Sequence, residues 1–321
     1  MLTSIAIILL LGLVTGWLFS KVKLPSLLGM ILVGIILSPH CLNAIDESIL
    51  MISGDLRQIA LVIILTRAGL SLNFSDLKKV GRPAILMCFV PACIEMVGTI
   101  IFAPLLLDVS ILDAAIIGSV MAAVSPAVVV PRMVKLMEEG YGSKKGIPQL
   151  ILAGASVDDV YVIVLFTTFV QMIQGEGVSV ISFVNIPVSI GLGIIIGVLL
   201  GFILSKLFEK VHIRDTSKVL IILSVSFILV TIEDKLNTGI TFSALIAIML
   251  LGVAIQKFRT PVAKRLSEKY NKLWVGAEIF LFVLVGATVN VGYLKNVGFS
   301  AVVVIVCALI FRMAGVFVSL I

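Results

Sequence analysis

Two adjacent acids, Asp158 and Asp159, interrupt the apolar stretch ILAGASVDDVYVIVLF at residues 151–166. Two neighbouring carboxylates in a low-dielectric interior resist being ionised together, so at least one can exchange a proton near neutral pH. Adjacent helical residues point about 100 degrees apart, so one acid can line a cavity while the other braces the site. The alternative is a polar packing point within a helix bundle.

The preceding apolar segment, IIGSVMAAVSPAVVVPRM, contains two prolines, Pro126 and Pro131. Proline lacks a backbone N–H and disrupts a helical turn, so we expect the helix to be broken near Ser125. Such a break frees carbonyl groups and points helix ends at a cation. A kink that is simply packed inside the protein is the alternative.

A second pair of charges, Glu95 and Arg312, is related by an internal repeat. RAGLSLNFSDLKKVGRPA at 67–84 matches LVGATVNVGYLKNVGFSA at 284–301, and the same alignment sets Glu95 against Arg312. A charge within a membrane span costs at least about 2.5–3.5 kcal/mol on insertion scales and needs a partner or water. We therefore expect these two residues to meet, which leaves the aspartates without a fixed cation.

The elements that position these residues are membrane helices. The chain has 321 residues, of which 60% are hydrophobic and only 13% are charged. Its apolar runs predict about eleven crossings. They lie near residues 4–20, 24–39, 56–73, 83–105, 111–131, 147–173, 178–205, 217–233, 239–256, 274–291 and 297–321. The segment PVAKRLSEKYNKLW at 261–274 is interpreted as a helix on the inner membrane surface.

Lysine and arginine are distributed unevenly between the predicted loops. Loops after odd-numbered crossings hold most of them, and loops after even-numbered crossings hold only Arg57, Lys235 and Lys295. By the positive-inside rule, the N-terminus is outside and the basic loops are cytoplasmic. The net charge of +6 is therefore a topology signal, and no nucleic-acid partner is expected. We expect a multi-pass protein of the plasma membrane (the cell inner membrane).

The repeat continues in a second match, between LLGMILVG at 27–34 and LIAIMLLG at 245–252. Two six-helix copies joined by one linking helix must be inverted in the membrane, as in many secondary transporters. We expect a first repeat at 1–173, a linking helix at 174–210 and a second repeat at 211–321. Because the second copy is shorter, we expect a C-terminal truncation of about two helices.

The segments MAAVSPAVVVPRM, EEGYGSKKGIPQLILAGASVDD and ALVIILTRAGLSL closely resemble the cation:proton antiporter superfamily, specifically its bacterial NHA-type sodium/proton antiporters. The resemblance runs through nearly the whole chain. It implies an all-α polytopic membrane protein of the NhaA-like antiporter fold, with about 11 of an expected 13 transmembrane helices present. It also implies a dimer domain, a moving core domain containing helices 3–6, and elevator-like alternating access.

The family motif makes Asp159 the expected carrier of cation and proton, with Asp158 as its neighbour in the site. In the mechanism that we expect, Asp158, Ser125 or Ser156 and the freed carbonyls are further ligands. Many relatives have a lysine where this chain has Arg312, and an arginine does not readily release its proton. The resemblance therefore favours a structural pair of Glu95 and Arg312. The expected cargo is Na⁺ or Li⁺ and H⁺, and no cofactor is expected.

Glycine spacing on the first and seventh predicted helices is typical of close helix contact. The residues are Gly12 and Gly16, and Gly193, Gly197 and Gly201. In similar antiporters these helices build a homodimer interface, so we expect a homodimer. Glycine spacing of this kind is also common in membrane helices that have no such role.

A second class of function stays open at this point. Sodium-coupled organic solute symporters and channel-like relatives share the inverted-repeat fold and could keep the aspartates for ion passage. The proline-broken helix followed by the aspartate pair favours antiport. An enzyme is not expected, because His40 and His212 fall in predicted loops on opposite sides and form no nucleophile–base pair.

Overall fold

The computed structural model describes residues 1–72, 81–142, 146–173, 180–235 and 242–320. These residues form α-helices and one short 3-10 helix, Val291–Tyr293, and no strand. The helices are α1 (Leu2–Lys21), α2 (Ser26–Leu37), α3 (Glu47–Met51), α4 (Ser53–Ser71), α5 (Gly81–Met87), α6 (Val90–Leu107), α7 (Ile111–Ala122), α8 (Pro126–Glu138), α9 (Ile147–Ile173), α10 (Val180–Lys210), α11 (Asp215–Lys235), α12 (Ala244–Phe258), α13 (Thr260–Ala287) and α14 (Leu294–Leu320).

Six helices of the described residues are long and apolar enough to cross a membrane. They are Leu2–Lys21, Ile85–Leu107, Pro187–Lys210, Asp215–Lys235, Thr260–Ala287 and Gly298–Leu320. Three shorter helices, α2, α7 and α12, are also apolar. Apolar helices of this length and number belong to a multi-pass membrane protein.

The polar segment at 261–274 is not a separate surface helix, and that prediction is wrong. It forms the first half of α13, which continues without interruption to Ala287. Neither glycine nor proline occurs between Val262 and Val275, so the sequence contains no signal that would end the helix there.

The chain forms two compact units, each assembled from separate stretches of sequence. The first contains Met1–Ile64 and Glu268–Gly298, and the second contains Leu65–Ser267 and Phe299–Ile321. Each unit draws on both predicted repeats. The compact units are therefore a different division of the chain from the repeats, and the repeat boundaries stay a prediction.

In the first unit, α2 and α13 approach backbone to backbone. A Cβ atom on Gly34 would overlap the carbonyl oxygen of Val283, and a Cβ atom on Gly286 would overlap that of Ile31. Only glycine permits this distance between two helices.

The second unit contains the matching contact between α4 and α12. A Cβ atom on Gly69 would overlap the carbonyl oxygen of Met249, and a Cβ atom on Gly252 would lie 2.9 Å from the Gly69 Cα atom. The sequence repeat aligns Gly69 with Gly286 and Gly252 with Gly34. The same glycine crossing is thus made once in each unit.

The contact between α6 and α14 has the same internal symmetry. Gly98 of α6 lies against Phe311 of α14, and Gly315 of α14 lies against Ile94 of α6. The repeat aligns Gly98 with Gly315 and Ile94 with Phe311, so each contact is the image of the other. Glu95 and Arg312 belong to these two helices.

The glycine faces predicted for a homodimer are packed within the chain. Three glycines of α10 face carbonyl oxygens of α12: Gly193 that of Ser243, Gly197 that of Ala247 and Gly201 that of Leu251. On α1, Gly12 lies against Ile279 and Gly16 against Met30. A homodimer through α1 and α10 stays a prediction, but it has to use other faces of these helices.

Candidate ion-binding site

The helix break lies between α7 and α8. Helix α7 ends at Ala122, and Ala123 (φ −62°, ψ 121°) and Ser125 (φ −69°, ψ 110°) have extended backbones. Helix α8 begins with Pro126 in its first turn, where a missing N–H leaves no hydrogen bond unmade. The residue before a proline avoids the helical conformation, which explains why Ser125 stays extended.

Pro131 lies inside α8, and the helix continues past it to Glu138. It removes one backbone donor from α8 but does not end the helix. The described backbone is therefore interrupted at residues 123–125, before Pro131, and the part of Pro131 in the broken helix stays a prediction.

The Ser125 hydroxyl lies at this break. It is the N-cap residue of α8, yet its side chain makes no capping hydrogen bond. Its carbonyl oxygen accepts the N–H groups of Val128 and Val129, at 3.1 Å each, which closes the first turn of α8. The Ser125 side chain is exposed, so its hydroxyl is accessible to a ligand.

Arg312 of α14 joins two elements at the break. Its Nη1 donates to the Oε2 carboxylate oxygen of Glu95 on α6 and, at 2.9 Å, to the carbonyl oxygen of Ala122. The Glu95 side chain is 3% exposed and that of Arg312 is 21% exposed. The last carbonyls of a helix carry partial negative charge, so one guanidinium compensates both the carboxylate and the end of α7.

Helix α9 carries the aspartate pair past the break. It packs against α7 and α8, and its Val162 forms a small buried cluster with Ala92 of α6 and Ala122 of α7. The aspartate positions lie within about one helical turn of Val162, which packs against the last residue of α7. The predicted site residues whose side chains lie outside the described part of the chain are Pro126, Ser156, Asp158 and Asp159.

Tyr161 ties α9 to α6 just beyond the aspartate positions. Its hydroxyl lies 2.9 Å from the Cys93 sulfur, and its ring packs edge-on against Phe89 with centroids 5.1 Å apart. Tyr161 is not among the residues predicted from the sequence. The sequence does contain a signal for it, because a tyrosine in an apolar run needs a hydrogen-bond partner for its hydroxyl.

Arg67 is a second buried cation in the same unit. It is 6% exposed, and its Nη2 donates to Glu138 Oε1 at 3.4 Å, while its Nε has no partner among the described residues. Glu138 is the last residue of α8 and is 60% exposed. The pair therefore connects α4 with the far end of the helix that begins at the break.

Comparison with known proteins gives a consistent result along the whole chain. A family model described as "Sodium/hydrogen exchanger, transmembrane" matches residues 5–321. "Sodium/hydrogen exchanger 9B2" of Xenopus tropicalis is 31% identical over 310 residues, which cover 92% of this chain and 56% of the relative. The Homo sapiens protein of the same name is 31% identical over 307 residues, with the same two coverages. The chain spans about half the length of these curated relatives.

A solved structure has a similar fold. It is that of the sodium proton antiporter MjNhaP1 from Methanocaldococcus jannaschii at pH 8, with a TM-score of 0.79 and 20% sequence identity. The match covers 98% of this chain and 77% of that chain. At this identity the similarity shows the fold alone. It confirms the predicted all-α antiporter fold, while the number of crossings stays a prediction.

Proposed function

Because the chain belongs to the sodium/hydrogen exchanger family, we propose that it exchanges Na⁺ or Li⁺ for H⁺ across the membrane by alternating access. The curated relatives that match are named as exchangers, which are transporters and not enzymes. The family match does not favour the sodium-coupled symporter or the channel-like alternative.

The helix break beside α9 is the observation that carries this proposal. A break leaves carbonyl groups of α7 without intrahelical partners, and Ser125 adds an exposed, uncapped hydroxyl. Together with the carboxylates of Asp158 and Asp159 and the Ser156 hydroxyl, these groups would form a site made only of oxygen ligands. Unwound backbone within a span coordinates Na⁺ in this way.

Exchange follows if the cation and the proton compete for that site. In the proposed mechanism Asp159 binds either a proton or a dehydrated Na⁺ or Li⁺ ion, with Asp158 beside it. An uncompensated charge within the bilayer costs at least about 2.5 kcal/mol, so only a neutralised site can cross. Exposing the site to each side in turn then couples the two fluxes.

Arg312 takes a structural part in this mechanism. Its guanidinium is already bonded to Glu95 and to the Ala122 carbonyl. The pair therefore holds α6, α7 and α14 together at the break. Proton exchange is left to the aspartates.

We propose that the protein lies in the plasma membrane with its N-terminus outside and its basic loops in the cytoplasm, because basic residues favour the cytoplasmic side.

We further propose a homodimer through the apolar faces that α1 and α10 leave exposed. On α10 this face includes Ile195, Leu199 and Ile203, which recur at every fourth position.

The test is transport by the protein in proteoliposomes. A proton gradient is imposed, sodium, lithium or potassium is added, and internal pH is followed for the wild type, Asp159→Asn and the matched control Asp55→Asn. Asp55 is an exposed acid of α4. We expect the wild type and the control to dissipate the gradient on addition of sodium, and Asp159→Asn to lose this response. Full exchange by a folded Asp159→Asn protein would overturn the proposal.

A further inference from the structure

A cavity of about 670 Å³ opens where four helices of the second unit end. Its lining comes from the C-terminal ends of α10 and α12, the connecting residues 211–214, the start of α11 and the first turns of α13. Because α10 and α11 are apolar helices of membrane-spanning length, the end of α10 and the start of α11 lie at the boundary between membrane and water. Among the described residues, none of those at the helix break (123–125) lines this cavity.

Positive charge dominates the cavity wall. Four cations line it, against two carboxylates: Arg214, Lys218, Arg259 and Arg265, against Glu209 and Asp215. Asp215 binds Lys218 Nζ at 3.0 Å and Arg265 Nε at 2.8 Å, and Glu209 lies 3.0 Å from Arg259 Nη1. The two acids hold the cations in place without neutralising them all.

Several donors of this wall remain unused. Arg214 is exposed and makes no ion pair in the described residues, and Arg265 bonds Asp215 through Nε alone. A guanidinium presents five N–H donors in a planar fork that fits phosphate oxygens. Arg259 and Arg265 are 33% and 51% exposed, so their remaining N–H groups are accessible from solvent.

Apolar side chains share the wall with these cations. Phe208, Val211, Ile213 and Val262 line the same cavity. We propose that the cavity binds the phosphate group of an anion, with Arg214 and Arg259 as principal contacts. The phosphate can come from a phospholipid headgroup or from a soluble phosphate, and the apolar part of the wall suits the glycerol and acyl part of a lipid.

The test measures binding by thermal unfolding of the purified full-length protein, so its result does not depend on transport. One arm uses nanodiscs of phosphatidylcholine with or without phosphatidylglycerol. The other uses inorganic phosphate against sodium chloride of equal ionic strength. The variant Arg214→Gln/Arg259→Gln is compared with Lys264→Gln/Lys269→Gln, which removes the same charge from exposed lysines of α13 outside the cavity.

We expect a ligand present at about ten times its Kd to raise the unfolding temperature of the wild type and the lysine control by about 2 °C. The arginine variant should lose this rise. A rise with phosphatidylglycerol alone identifies a lipid source, and a rise with inorganic phosphate identifies a soluble one. The proposal fails if neither probe raises the temperature, or if the lysine control loses the rise to the same extent. If the double variant does not fold, Arg214→Gln alone takes its place, because it removes no ion pair of the described residues. It should then show a smaller rise than the wild type.

Discussion

The contact between Glu95 and Arg312 makes a quantitative prediction about stability. Removing one partner of a buried ion pair leaves an uncompensated charge and costs about 3–5 kcal/mol. Glu95 is the more deeply buried of the two, so Arg312→Gln should be the more damaging change. Glu95→Gln should lower the free energy of unfolding by an amount near the lower limit of this range. Arg312 would still donate a hydrogen bond to the Ala122 carbonyl and is partly exposed to solvent. For a chain of 321 residues, a loss of about 3 kcal/mol corresponds to a fall of about 4–5 °C in unfolding temperature.

A double-mutant cycle measures this coupling directly. The double variant Glu95→Gln/Arg312→Gln leaves no uncompensated charge. Its loss of unfolding free energy should therefore be smaller than the sum of the losses of the two single variants, by at least about 2 kcal/mol. Thermal unfolding in detergent provides the readout. Glu209→Gln is the matched control, because it removes a pair whose acid is 62% exposed and should cost less than about 1 kcal/mol. Additive losses, or a Glu95→Gln loss no larger than that of the control, would refute this reasoning.

Two further predictions concern the helix contacts and the break. Gly286→Ala should lower the free energy of unfolding by about 1–3 kcal/mol, because the added Cβ would overlap the Ile31 carbonyl oxygen. The control is Gly276→Ala on the same helix. A Cβ there has no neighbour within 4 Å, so this change should be neutral or stabilising. Equal effects of the two changes in thermal unfolding would contradict the close approach. Ser125→Ala should change stability by less than about 0.5 kcal/mol, since no cap is lost, and should weaken the apparent sodium affinity in the proteoliposome assay. A large stability loss with unchanged sodium affinity would show that Ser125 is structural.

The repeat in the sequence carried much of the information about the fold. It aligned Glu95 with Arg312, and the structure brings these residues into contact across α6 and α14. The family membership and the all-α antiporter fold predicted from the sequence are confirmed by the comparisons. Proline chemistry pointed to an interruption near Ser125, because a residue before proline is biased away from helix.

Other features of the structure could not be predicted from the types of the side chains. The carbonyl of Ala122 accepts a hydrogen bond from Arg312, and a backbone acceptor could belong to any residue at a helix end. Glycine spacing on α10 indicated close packing but could not identify the partner, which is α12 of the same chain. The continuity of α13 was missed because its first half is polar. Helix propensity rather than apolarity decides whether a helix continues.

The glycine crossings of Gly34 with Gly286 and of Gly252 with Gly69 give the molecule an internal replicate. One geometry is made twice from different flanking sequences. A substitution in one crossing can therefore be compared with its counterpart inside a single protein, at the same temperature and in the same lipid. If matched substitutions in the two crossings lower the free energy of unfolding equally, the loss is caused by the shared geometry alone. Any difference between them measures how far the two halves of the molecule have diverged in their tolerance of strain.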